Sequence, residues 1–140
     1  MTTHRGDRRR RSRRRPIVPP RRTCRRTRAP SEPIQVSVEH RATVALLHVH
    51  GDFDLAGVDR VEAALDRAID SLTDAVVFDL RGVSFLDLSG LRTLVRADAR
   101  ARRQSFAMGV VPPPGPAARI FTLTEAGRDL ALLDDLPDER

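Results

Sequence analysis

The stretch Asp74–Arg103, DAVVFDLRGVSFLDLSGLRTLVRADARARR, decides the fold class, and the rest of the chain is read outward from it. Ala75, Val76, Val77 and Phe78 form a short apolar run between Asp74 and Asp79. A run that short, rich in β-branched and aromatic residues, predicts a buried strand rather than a helix. Arg81-Gly82 carries turn chemistry, and Val83, Phe85 and Leu86 predict a second short strand behind it. Asp87 stands where a helix N-cap belongs: its carboxylate can accept from the free N–H groups just beyond it and suits the positive end of the helix dipole. Leu88, Leu91, Leu94, Val95 and Ala101 then recur at helical spacing.

Upstream, Ile34–Glu39 alternates apolar and polar residues and predicts a half-exposed strand. After a turn near His40-Arg41, Thr43–His50 predicts its hairpin partner. There Ala45, Leu47 and Val49 share one face and Leu46, His48 and His50 the other. Two histidines two apart can both reach a metal ion, but no third ligand is placed beside them. They are expected as polar side chains on a solvated sheet face, with no metal site. Gly51–Leu55 reads as a loop into a helix over residues 56–71, with Val58, Val61, Leu65, Ala68 and Leu72 as its apolar stripe. Asp59, Glu62, Asp66 and Asp70 lie off that stripe, as a solvated face would.

Downstream, Arg92, Arg96, Arg100 and Arg103 form a ridge along the helix, read as solvated. Ser105–Val111 predicts a further strand, stopped by Pro112-Pro113-Pro114-Gly115-Pro116. A short helix follows over residues 117–123, expected to bury Ile120, Phe121 and Leu123, and residues 130–133 read as a last short strand. Strands and helices in this order predict an α/β domain with a four- to five-stranded mixed β-sheet and helices packed on one face.

Charge divides the chain. Residues 1–33 hold 13 of the 25 basic residues against Asp7 and Glu32, while residues 34–140 hold 12 against 17 acids. A basic arm followed by a mildly acidic body is the pattern, and the formal net charge of +6 describes neither part. The arm, residues 1–33, has little to bury and is expected to be disordered. It could neutralise nucleic-acid phosphates or another acidic surface. With one cysteine, Cys24, no intramolecular disulfide can form, which fits a reducing cytoplasm. No apolar run is long enough to span a bilayer, and no apolar segment follows the twin arginines as an export signal would require.

Catalytic signatures are missing: there is no phosphate-binding glycine loop, no dinucleotide fingerprint and no nucleophile elbow. Ser89 has no partner base arranged beside it. With neither Trp nor Tyr, the chain has little to stack on bases. The reading is a non-enzyme without a cofactor.

Phe78–Leu91, FDLRGVSFLDLSGL, resembles the central signature of STAS domains, and Gly51-Asp52-Phe53-Asp54-Leu55-Ala56 resembles that family's Gly-Glu-Leu-Asp-Leu-Ala segment. The resemblance implies the STAS fold over residues 34–140. It also implies a cytoplasmic regulatory protein of the anti-sigma factor antagonist type. Such proteins bind an anti-sigma factor, often a serine kinase, and so free a sigma factor. The contact would lie around Asp54, Asp87, Leu88, Ser89, Gly90 and Leu91. In the family the serine directly after the Asp is the usual phosphoacceptor, and this chain has Leu88 there. Three readings stay open: Ser89 is a shifted acceptor, the partner is bound without phospho-control, or Asp87–Gly90 is only a cap and a close-packed glycine. A STAS subunit of a lipid-transport ATPase complex, a structural partner needing no phosphorylation, is the alternative. STAS domains commonly end in one more helix, for which only residues 134–140 remain here.

Overall fold

The computed structural model describes residues 32–137, so the expected basic arm lies almost wholly outside the described residues. Four strands form one sheet in the order β1 (Gln35–Arg41), β2 (Val44–Phe53), β3 (Ala75–Leu86) and β4 (Ala107–Val111). β1 and β2 make an antiparallel hairpin closed by Ala42 and Thr43, whereas β2–β3 and β3–β4 are parallel. Parallel neighbours need crossovers. Helix α1 (Val58–Ala68) and helix α2 (Leu88–Gln104) supply them.

The front of the sheet carries Ala45, Leu47, Val49, Val76, Phe78, Leu80 and Val110, all without exposed surface. Val61, Ala64, Leu65 and Ala68 of α1 pack onto it with Leu91, Leu94, Ala97 and Ala101 of α2, in one core cluster that also takes in Phe53 and Phe121. The expected faces of β2 are those observed. The strongly apolar strands β2 and β3 reflect burial on both sides, as parallel strands require. On the back, Leu46, Val77 and Val111 form a second buried cluster, covered by Leu133 and Leu136. Residues after the last helices therefore do the work of a further layer.

Several local expectations are corrected. β2 runs to Phe53, so the loop before α1 shrinks to Asp54 and a 3-10 turn, Leu55–Gly57. Arg81-Gly82 is not a turn. β3 continues through it, and two register shifts against β2 absorb the extra residues: His48 pairs with Asp79 but His50 with Gly82, and Gly51 pairs with Val83 but Asp52 with Phe85. Gly82 is needed there because the His50 ring occupies the space a Cβ would fill. The bulge uses the same glycine that the turn reading noticed. Helix α1 ends at Ala68, and Leu72, expected on its stripe, is exposed in the following turn.

After β4 the chain makes a 3-10 turn (Gly115–Arg119) and two single-turn helices, α3 (Ile120–Leu123) and α4 (Glu125–Arg128). Phe121 is buried as expected, but Leu123 points outward at 74 % exposure. The expected strand over residues 130–133 reduces to one parallel bridge, Leu132 to Val110. The Arg ridge of α2 is partly engaged: Arg96 Nη2 lies 2.9 Å from Glu62 Oε2 and Arg100 Nη1 2.5 Å from Asp66 Oδ1. Glu62 and Asp66 are four apart on α1, as Arg96 and Arg100 are on α2, so matching spacing was the available signal. Exposed pairs of this kind contribute on the order of 0.5 kcal/mol each.

Candidate functional site

The two sequence segments that carry the resemblance meet in space. Phe53 at the end of β2 pairs with Leu86 at the end of β3. Asp87 N–H donates to the Phe53 carbonyl at 3.4 Å. Beyond this pair each chain turns out of the sheet through a capped helical start. Asp54 accepts from Ala56 N–H at 3.1 Å, and Asp87 accepts from Ser89 N–H at 2.9 Å and Gly90 N–H at 3.2 Å. Asp87 is thus the N-cap of α2, as its position in the sequence implies, and its charge lies at the positive helix end. Replacing Asp87 with Ala leaves both N–H groups without that acceptor and is expected to cost about 1 kcal/mol in urea unfolding. No measurable loss would remove the cap from this account.

The six residues singled out from the sequence divide by depth. Gly90 and Leu91 are buried. A Cβ on Gly90 would lie 2.5 Å from Leu86 Cδ1 and 2.7 Å from the Phe53 carbonyl oxygen, so the glycine lets α2 start against β2. Asp54, Asp87 and Ser89 are half-buried, and Leu88 is 49 % exposed. Leu55, two residues past Phe53 as Leu88 is two past Leu86, is 73 % exposed. Sequence reasoning did not single it out. The signal was present, since an apolar residue just after a cap and off the helix stripe has no core position to fill.

Around this point lie two unlike surfaces. One is an open groove of about 380 Å³ lined by Val83, Phe85, Leu86, Pro114, Pro116 and Ala117, with Ser84 at its edge. The Pro-rich stop after β4 thus becomes a wall beside the α2 start. The other carries Glu32, Asp52 and Asp54 with Arg60. Asp52 is buried and accepts from the Glu32 backbone N–H at 3.2 Å. The Ser84 hydroxyl lies within donating distance of both Asp52 Oδ1, 3.1 Å, and Glu32 Oε1, 3.2 Å. The helix start therefore stands between an apolar groove and an acidic rim.

On the sheet back, the His50 ring lies over Gly82. His48 is not a solvated side chain: Nδ1 is 2.7 Å from Asp79 Oδ2 and Nε2 2.9 Å from Glu39 Oε1. Both ring nitrogens are taken, which leaves neither for a metal ion. Burial pushes the Asp79 carboxyl up, but hydrogen bonds from Arg81 and His48 outweigh it and hold the pKa at about 2.

A four-stranded mixed sheet with helices packed on one face makes this an α/β domain. The chain belongs to the STAS domain family, which matches residues 35–138. Among solved structures, it is similar to an anti-sigma factor antagonist from Mycobacterium paratuberculosis. That pair shares 30 % identity with a TM-score of 0.65, covering 76 % of this chain and 92 % of that one. It also resembles in fold a variant of RsbS from Moorella thermoacetica, at 20 % identity and TM-score 0.58 over 73 % of this chain and 88 % of that one. The phosphorylated form of the Bacillus cell-fate determinant SpoIIAA is similar at 18 % identity and TM-score 0.55, over 74 % and 92 %. None of the curated protein sequences matches the chain. Among the described residues, no helix is long and apolar enough to cross a membrane.

Proposed function

We propose that this protein is a cytoplasmic anti-sigma factor antagonist that works by docking. The start of α2 is the contact, and the partner is an anti-sigma factor, of the serine-kinase type in the usual case, whose sigma factor is thereby freed. What supports the reading is the pair of outward leucines, Leu55 and Leu88, flanking the two Asp-capped turns. The likeness to the Mycobacterium paratuberculosis antagonist adds to it. Large apolar side chains left in water, Leu88 just beyond the groove-lining Leu86 and Leu55 just beyond Asp54 of the acidic rim, mark a surface that gains from being covered. Asp54, Asp87, Leu88 and Ser89 would touch the partner, while Gly90 and Leu91 hold that surface from beneath.

Leu88, the first helical residue, has no hydroxyl to phosphorylate, so its contact is available without a covalent switch. Ser89 is the nearest hydroxyl. A phosphate there would add nearly two negative charges beside the Asp87 carboxylate, at a helix end that otherwise favours anions. Leu88 also suits the second reading, a structural STAS subunit of a lipid-transport complex, which needs no phosphoacceptor. The deciding experiment mixes the full chain with ATP-binding anti-sigma kinases encoded in the same genome. A complex on size exclusion, with sigma factor released, is the expected result. No complex with any of them, together with binding to a transport permease, would overturn the reading in favour of the second. Mass spectrometry after incubation with the binding kinase is expected to leave Leu88-adjacent Ser89 unmodified; stoichiometric phosphate on it would restore covalent control.

A further inference from the structure

The back of the sheet carries a device unrelated to the docking site. After the Leu132–Val110 bridge, Leu133 packs over Gly109 of β4, and Leu136 joins Leu46 and Val77 on the central strands. The Pro137 carbonyl then accepts from Arg41 Nη1 of β1 at 3.1 Å. Residues 133–137 thus run from β4 over the central strands to within reach of the Arg41 side chain of β1. This strap bends at Asp134 and Asp135, where the Leu136 N–H donates to Asp135 Oδ1 at 2.8 Å.

We propose that His48 is a proton-operated latch on this strap: with both ring nitrogens protonated the strap's far end is held, and loss of one ring proton frees it. The geometry is a relay. On one side His48 Nδ1 meets Asp79, which also receives Arg81 through Nε at 2.9 Å and Nη2 at 3.1 Å. Arg81 Nη1 in turn lies 3.5 Å from Asp135 of the strap. On the other side His48 Nε2 meets Glu39 Oε1, and Glu39 Oε2 holds Arg41 Nε at 2.8 Å. Arg41 is the residue that grips Pro137. Two side-chain contacts of the strap, Arg81 with Asp135 and Arg41 with Pro137, are thus linked to the two nitrogens of one imidazole.

An imidazolium donates from both nitrogens, whereas a neutral ring donates from one and turns a lone pair to whatever faces the other. Asp79 is side-chain buried and already held by Arg81, so it keeps the remaining N–H. Glu39, the more exposed carboxylate, is left facing the lone pair and moves away, taking Arg41 off Pro137. The groups facing His48 are Glu39 and Arg41 on β1, Asp79 and Arg81 on β3, and Asp135 on the strap, with His50 next to it on β2 over Gly82. Burial lowers the His48 pKa, but its bonds to Asp79 and Glu39 win and raise it above the ordinary histidine value. Hydrogen bonds from Arg41 and then His48 lower that of Glu39. A raised histidine pKa means the stabilisation is complete below the unfolded value and is lost as pH rises through the folded one. Glu39 and Asp79, both held below the usual carboxylate range, stay ionised throughout, so the latch is closed in mildly acidic solution and opens toward alkaline pH.

The test is an NMR titration of the full chain from about pH 5.5 to about pH 9, spanning the histidine range. The Leu136 methyl shifts are expected to move with the same midpoint as the His48 ring. Protection of the Leu133 amide, which donates to the Val110 carbonyl at 2.7 Å, is expected to be lost over the same pH range. In His48→Gln both readouts become flat. In Arg41→Gln the His48 ring still titrates but the Leu136 methyls no longer follow it, a separation that general loosening would not give. Strap signals that ignore the His48 midpoint in the unaltered chain, or that titrate unchanged in Arg41→Gln, would overturn the proposal.

Discussion

Gly90→Ala is expected to destabilise the domain by about 2 kcal/mol, and Gly90→Val by about 4 kcal/mol. The sign is what makes the experiment informative. Gly90 is the third residue of a 17-residue helix. At an ordinary helical position Gly→Ala gains up to about 1 kcal/mol, because alanine loses less backbone entropy on folding. Here the added methyl would meet Leu86 Cδ1 at 2.5 Å, the Phe53 carbonyl oxygen at 2.7 Å and Phe53 Cγ at 3.1 Å. Leu86 can turn aside, but the carbonyl cannot. It belongs to the end of β2 and already accepts from Asp87 N–H. Relief would require α2 to lift off the sheet, and Leu91 and Leu94 are both locked in the core below. Valine adds two more carbons against the same wall. For a domain of this size a loss of about 2 kcal/mol lowers the melting temperature by roughly 10 °C. A Gly90→Ala protein as stable as the parent in urea would mean that α2 does not start against β2 as described.

The same glycine shows what could be read before the structure was known. Asp87 as a cap and Leu91, Leu94 and Ala101 as a core stripe follow from local spacing, so the start and inner face of α2 were legible. The alternating faces of β2 were legible for the same reason. What could not be read depends on residues far apart in sequence. Arg81-Gly82 has the composition of a turn, and only the register of β2 against β3, with the His50 ring over Gly82, makes it a bulge. His48 looked like a polar residue on a wet face because nothing local reveals Asp79, 31 positions away, or the strap that dries that face. Leu123 had helical spacing but belongs to a helix of one turn, too short for spacing to determine which side is buried. The meeting of the 51–56 and 78–91 segments was implied by the resemblance alone. No pattern within either segment points to the other.

Leu88→Glu is expected to abolish docking while leaving the fold intact. Leu88 is the first residue of α2 and 49 % exposed. A carboxylate in the first turn of a helix is favourable by up to about 1 kcal/mol, so unfolding in urea should be unchanged or slightly improved. At the proposed interface the effect runs the other way. Covering a leucine of this exposure removes apolar surface from water. A glutamate would instead have to give up its hydration beside Asp87 and against an apolar partner surface. Central apolar residues of this kind carry about 2–4 kcal/mol of an interface, so affinity for the anti-sigma factor should fall by a factor on the order of 100 or more. Leu55→Ala removes area without adding charge and should cost less, within about tenfold. Isothermal titration of the three proteins against the same partner separates these outcomes. If Leu88→Glu binds as tightly as the parent while Leu55→Ala does not, the contact sits on the acidic rim beside Asp54 rather than on the groove beside Phe85. If neither changes binding, the front of α2 is a structural corner, and the partner engages some other face.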